Sequence, residues 1–384
     1  AGDGGNRYYH GIYHDLPYCY GQIIHTPPLT EYLQRCRNIF NHICWDKIWR
    51  RDMCTAIAVQ TPQREVYFGR TMDFSYPLDP ELYFIPKGYE WRNLLNTHKI
   101  RNQYSFMGIG QDISRVFFAD GVNEMGFAAA VLYFPDYAAY DPIAAPDSKG
   151  ISVAAIELVG FLLGLCASVD HAASLLRTIR IVGVEDSITH SIAPLHWILT
   201  DKSGKCMVAE KTASGLHLMD NLMGVLSNSP DLPWHLTNLR NFMNVTSVQT
   251  PEKEWDSVSL TPFGQGGGTF GLPGDFTPPS RFVRAAWMKS HTPIPENKQE
   301  AVNTCFHIMN SVTIPKGAVM TSRGTPDYTQ YTAFMNLSTQ EYFFRTYDNS
   351  RVTAARLPAA TGRDSRAVSL GRINKPSVFD RREV

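Results

Sequence analysis

The order of strand-like and helix-like segments predicts an α+β chain folded as a four-layer αββα sandwich. Strand character opens the well-patterned part of the chain, at residues 54–60 and 65–70, and closes it, near 328–337 and 340–347. Between them, two groups of segments with helical apolar spacing are separated by a further group of strands. Each such element must bury one apolar face, and two helical layers over two stacked sheets satisfy the order strands, helices, strands, helices, strands.

Each element carries its own signal. Residues 54–60 and 65–70 run apolar or alternate around Thr61-Pro62-Gln63, which reads as a hairpin. Residues 117–119 and 126–134, on either side of the turn-like Asn123-Glu124, read as two more strands. Helical spacing marks 152–166 and 169–179. The most apolar run, Ile151 to Cys166, spans 16 residues and holds Glu157, so it reads as a buried helix and not as a membrane span. Strand character returns at 195–200, 205–211 and 216–219, with Asp201-Lys202-Ser203-Gly204 as a turn. Helices are expected near 234–243, 280–291 and 297–311.

The ends and one internal segment stand apart. Residues 1–53 hold three of the seven cysteines and four of the 12 histidines, with Leu33, Cys36, Phe40 and Ile43 on one helical face. This segment is expected to be a propeptide or a non-native upstream extension, followed by a globular domain over 54–350. The Arg-rich residues 351–384 are expected to form a loosely ordered tail. Residues 244–279 are too rich in Gly and Pro for helix or regular strand, and a loop of that length points to function or assembly. They contain a formal G-x-G-x-x-G from Gly266 to Gly271, but Pro273 and Gly274 stand where the helix of a dinucleotide site should begin.

Composition narrows the function. The 36 Lys+Arg balance 36 Asp+Glu, so no global charge draws the chain to nucleic acid, a membrane or an acidic partner. A small neutral or singly charged substrate fits best. An odd number of cysteines with no C-x-x-C pair, and no secretory pattern, indicate a reduced, cytoplasmic protein.

Cys54 carries the chemical expectation. A cysteine placed first in its chain has a thiol and an α-amine of pKa about 7.7–8.0, and so supplies nucleophile and base together. Here 53 residues precede it, and a peptide nitrogen is no base. A carboxylate would hold the freed amine, and Asp73, where the hairpin's second strand exits, could fold back onto the start of the first. Arg70 would favour the thiolate. Amide or backbone N–H donors would complete the site by stabilising an oxyanion.

Met53-Cys54-Thr55 with Gly69-Arg70-Thr71-Met72-Asp73-Phe74 resembles the opening of the choloylglycine hydrolase family of N-terminal-nucleophile hydrolases, which includes penicillin V acylases and conjugated bile acid hydrolases. The resemblance continues for about three hundred residues. It runs through Phe118-Ala119-Asp120-Gly121-Val122-Asn123-Glu124-Met125-Gly126, Leu132-Tyr133-Phe134-Pro135, Pro194-Leu195-His196-Trp197 and Leu226-Ser227-Asn228-Ser229-Pro230. It ends with Pro278-Pro279-Ser280-Arg281-Phe282-Val283-Arg284 and Tyr328-Thr329-Gln330-Tyr331-Thr332. The resemblance implies Cys54 as nucleophile, Asp73 as the group orienting its α-amine, and Arg70 beside the thiolate. It also implies Asn228 and the backbone N–H of Tyr133 at the oxyanion, with Arg281 stabilising charge around the nucleophile. It implies no metal or cofactor, a small-molecule amide substrate, and a homotetramer assembled through the extended loop.

Tyr133 bears on the substrate. Asn at that position resembles the bile acid hydrolases, whereas Tyr resembles the penicillin V acylases, where an aryl acyl group could gain on the order of 0.5–1.5 kcal/mol from ring contact. A penicillin V acylase is therefore the first expectation and a conjugated bile acid hydrolase the second. N-acyl homoserine lactones follow only from the breadth of the family, and a catalytically silent protein with a blocked N-terminus is the non-enzymatic competitor.

Taken singly, the same residues have plainer readings. A lone cysteine is usually a small buried hydrophobe, Asp73 a turn cap, Arg70 and Arg281 surface charges, Asn228 a turn residue before Ser229-Pro230, and Tyr133 a strand aromatic. His10 and His14 lack the further ligands of a metal site, and His196 reads as a core histidine. Joint occurrence in one order is what points to a site.

Overall fold

The computed structural model describes residues 53–384, apart from 114, 144–149, 187–189, 359–365, 379–381 and 383–384. The helical face around Leu33 and the pair His10 and His14 lie outside the described residues.

Two antiparallel sheets form the inner layers. The first runs Val225–Leu226, Cys54–Gln60, Val66–Phe74, Pro326–Asn336, Glu341–Thr346, Asn349–Arg356. The second runs Gly215–Asp220, Cys206–Thr212, Leu195–Asp201, Phe127–Tyr133, Val116–Asn123, Phe106–Asp112, Glu81–Ile85, Val368–Arg372. All residues of Val66–Phe74 are buried, as required of a strand covered on both faces.

Strand alternation sorts side chains into two cores. Ala128, Ala130, Leu132 and Ile198 join the core shared with the first sheet. Their neighbours Phe127, Ala129, Trp197 and Leu199 pack instead with the helices Leu158–Leu165 and Val169–Leu176. The first core also takes in Phe282, Ala285, Val302 and Phe306 from the helices Pro278–His291 and Lys298–Asn310. The result is the αββα sandwich that the element order predicts. Among the described residues no helix is long and apolar enough to cross a membrane.

Several elements differ from the sequence reading. Strands Glu81–Ile85 and Phe106–Asp112 were not expected; the second contains Gly108 and Gly110, which break the usual strand signature. The first helix starts later than residue 152, because Ile151–Ala154 is a strand paired in parallel with Ile179–Val182. The expectation of a loosely ordered tail is corrected for two stretches, Asn349–Arg356 and Val368–Arg372, which form edge strands of the two sheets. Their polar, half-exposed character is what an edge strand tolerates and what hides it from an apolar pattern search. The segment 244–279 is mostly irregular but carries a small ribbon, Lys253–Trp255 with Val258–Leu260. Gly268 serves close packing of the loop on itself: a Cβ there would collide with the carbonyl of Val248.

Candidate active site

Cys54 opens the first strand and pairs with Met72 across the hairpin. Alternation then places Arg70 and Met72 on the same face as the thiol, and Thr71 and Asp73 on the other. Arg70 is fully buried, and its Nη2 donates to Cys54 Sγ at 2.5 Å. Its remaining donors are tied to the carbonyls of Thr71 (Nε, 3.0 Å) and Ala119 (Nη1, 3.3 Å), which fix the plane of the guanidinium.

On the opposite face, the Asp73 carboxylate accepts from Thr329 Oγ1 at 2.5 Å and Thr71 Oγ1 at 3.1 Å. Arg281, in the first turn of Pro278–His291, has Nη1 at 3.7 Å from Asp73 Oδ2. The same nitrogen donates to the Cys54 carbonyl at 2.6 Å and to Thr55 Oγ1 at 2.5 Å. Asn228, just beyond Val225–Leu226, accepts the Cys54 N–H on Oδ1 at 2.8 Å, and its Nδ2 donates to the Tyr133 carbonyl at 2.8 Å. The six residues singled out in the sequence, Cys54, Arg70, Asp73, Tyr133, Asn228 and Arg281, thus share one connected cluster.

Two details depart from expectation. The Cys54 N–H is directed to Asn228 Oδ1 and not to the Asp73 carboxylate, because a peptide nitrogen carries a single hydrogen and the strand aims it at the 227–228 loop. Asp73 meets the start of the strand through its own N–H, which donates to the Met53 carbonyl at 3.1 Å. At Tyr133, it is the carbonyl that meets Asn228.

Other residues of the cluster were given no role in the sequence reading. Thr71, Thr329, Asp120 and Tyr331 lie within the quoted motifs, but nothing in their spacing marks them. His235 donates Nε2–H to the Asn228 carbonyl at 2.8 Å and stacks on Phe282 with ring centroids 4.6 Å apart. His196 is a buried histidine stacked on Phe134 and paired with Glu210 at 3.3 Å.

Burial dominates the electrostatics. It pushes the Cys54 thiol up to about 11, with Arg70 pulling against it and Asp73 adding to it. With its nitrogen in a peptide bond, Cys54 is therefore a protonated thiol at neutral pH. Burial also raises the Asp73 carboxyl, opposed by Arg281, Thr329 and Arg70. His235 is lowered from 6.5 to about 4 by burial, so it is neutral at neutral pH.

A cavity of about 160 Å³ adjoins the cluster, lined by Met72, Phe74, Ile109, Val131, Tyr133 and Tyr331 among others. Its walls are mainly apolar, suited to an apolar acyl group whose carbonyl would lie near Cys54. A larger cavity of about 290 Å³ lies beside Trp91, Arg115 and Glu157 and includes neither Cys54 nor any other thiol.

The model of the linear amide C–N hydrolases, choloylglycine hydrolase family, matches residues 54–363. The chain belongs to this family. It is an amide C–N hydrolase by that membership, and the matched region begins at Cys54, where the cluster is centred. A bile salt hydrolase/transferase of Clostridium perfringens is 36% identical over 308 residues, 79% of this chain and 92% of that protein. A solved variant of the conjugated bile acid hydrolase from Clostridium perfringens has a TM-score of 0.78 at 31% identity, covering 85% of this chain and 99% of the other. A penicillin V acylase of Pectobacterium atrosepticum is 28% identical over 245 residues, 59% of this chain and 58% of that protein.

Proposed function

We propose that this family member hydrolyses the amide bond of conjugated bile acids, with Cys54 as its nucleophile. The observation that carries the substrate is the likeness to a bile salt hydrolase over 92% of that protein's length, against 58% for the penicillin V acylase. The expectation built on Tyr133, which put penicillin V first, therefore takes second place.

The geometry supports the following roles. Hydrolysis of the Met53–Cys54 bond, in which water leaves a carboxylate on Met53, frees an α-amine of pKa about 7.7–8.0 beside Asn228 Oδ1, where it takes the thiol proton. Arg70 stabilises the resulting thiolate, which attacks the acyl carbonyl. The Asn228 amide and the Tyr133 main chain flank the oxyanion, Arg281 holds the Asn228 oxygen in place, and Asp73, beside Arg281, would take one of the two hydrogens that the freed amine gains. The amine product leaves with the proton from the α-amine. Water, deprotonated by that amine, then cleaves the thioester and releases the bile acid.

Initial rates on glycocholate and penicillin V, measured side by side, test the substrate. A higher kcat/KM for glycocholate is expected, and a preference for penicillin V would reverse the order. The second reading rests on Tyr133, whose ring borders the cavity edge-on to Phe74 at 5.9 Å. The segment 244–279 exposes Trp255, Phe263 and Phe270, which supports a homo-oligomer built through this loop. Light scattering of the Phe263→Ser variant would show a smaller particle than the parent. Cytoplasmic residence is kept with this reading, in which Cys166, Cys206 and Cys305 are free buried thiols.

A further inference from the structure

Asp120 lies in Val116–Asn123 of the second sheet and is fully buried. Its two carboxylate oxygens accept hydrogen bonds from phenols of the first sheet, Oδ2 from Tyr331 at 2.9 Å and Oδ1 from Tyr342. Burial raises the Asp120 carboxyl while Arg70, Tyr342 and Tyr331 pull against it, and a carboxyl group that accepts on both oxygens is suited to the ionised form, since a protonated one would need to donate from one of them. Arg70 Nη1 stands 3.8 Å from Asp120 Oδ2 while Nη2 of the same guanidinium donates to Cys54 Sγ. One cation is therefore shared between a buried carboxylate and the thiol.

We propose that Asp120 is a positioning residue for the amidase reaction: a carboxylate clamped between the two sheets by Tyr331 and Tyr342, which offsets the charge of Arg70 and sets how readily Cys54 loses its proton. This rests on the reading of Cys54 as nucleophile and deepens it.

The charged and titratable groups facing this centre come from four elements. Arg70 and Asp73 come from Val66–Phe74, Arg281 from Pro278–His291, Tyr331 from Pro326–Asn336 and Tyr342 from Glu341–Thr346. Asp327 acts on Arg281 from the same strand as Tyr331. Around the sulfur, the two guanidiniums of Arg70 and Arg281 are matched by the carboxylates of Asp73 and Asp120. Neutralising Asp120 leaves the positive charge of Arg70 less opposed, and an unopposed cation favours thiolate. Ionisation then begins at lower pH, but a thiolate of lower pKa is also the weaker nucleophile. The carboxylate thereby holds the thiol in a range where it both ionises and attacks.

The test is the pH dependence of Cys54 alkylation by iodoacetamide, read on the Cys54 peptide by mass spectrometry, in the parent protein and in Asp120→Asn. Glycocholate hydrolysis is followed in the same samples. The alkylation midpoint of Asp120→Asn is expected to fall by about one pH unit, with a lower plateau rate. Asp120→Glu, which restores the charge, should return the midpoint toward the parent value. A carboxylate that only pins the sheets together would lower the melting temperature and leave the midpoint where it was. An unchanged or raised midpoint in Asp120→Asn overturns the proposal. If that variant does not fold, Asp120→Ser carries the same comparison with the same two outcomes. Alkylation of Cys54 in the parent protein without loss of hydrolysis would instead remove the nucleophile reading, and the role of Asp120 with it.

Discussion

Arg281 Nη2 lies 2.7 Å from Asn228 Oδ1, the oxygen that also accepts the Cys54 N–H at 2.8 Å. Two donors on one oxygen fix which way the Asn228 amide faces, leaving Nδ2 toward the Tyr133 carbonyl and the oxyanion region. Asn228→Ala should lower kcat by about 10²–10³ with a small change in KM, the signature of a donor that acts mainly in the transition state. Steady-state kinetics on glycocholate check this, and a variant that raised only KM would place Asn228 in ground-state binding.

Arg70 bears directly on the sulfur. Replacing it by Met removes the cation that favours thiolate while keeping an unbranched apolar chain in a fully buried position. The sign is a rise in the alkylation midpoint of Cys54, and the remaining hydrolysis should recover as pH is raised. A midpoint unchanged from the parent would mean that the 2.5 Å contact does not govern ionisation.

Thr329 supplies the short hydrogen bond to Asp73 from a neighbouring strand. Thr329→Val keeps shape but removes a donor to a buried carboxylate, which should cost about 1.5–3 kcal/mol of stability. Urea unfolding of the two proteins measures that difference; a loss under about 0.5 kcal/mol, the scatter of neutral surface changes, would show that the bond contributes little.

His235 gives a pH signature. Its folded-state value of about 4 lies below its ordinary 6.5, so between those values the unfolded chain binds more protons than the folded one. Stability conferred by neutral His235 is thus present above pH 6.5, falls as the pH drops from 6.5 to about 4, and levels off below. The full loss is on the order of 3 kcal/mol. His235→Gln should unfold with a shallower pH dependence across that window. Equal slopes for the two proteins would contradict the assignment.

The hairpin and the inner strands were legible because residues buried on both faces leave continuous apolar runs, as in Cys54–Gln60 and Phe127–Tyr133. Phe106–Asp112 and the two strands after residue 348 were not, since internal glycines and half-exposed edges dilute that signal. At the site, residues carrying reactive groups in the order of a known family stood out, among them Cys54, Arg70 and Asn228. Asp120 and Thr329 act through long-range contacts: Asp120 reaches Tyr342 across 222 positions and Thr329 reaches Asp73 across 256. No local pattern announces such pairs. Tyr133 was legible as a site residue, but a single aromatic side chain could not rank two acyl groups that both enter an apolar cavity.

The central claim is that a freed Cys54 performs the hydrolysis. Its most direct test is the N-terminal sequence and intact mass of the protein fraction that releases glycine from glycocholate, compared with a fraction that does not. The account predicts that the active chains begin at Cys54 and that chains retaining the Met53–Cys54 bond are inert. Full turnover by protein in which that bond is intact would contradict it.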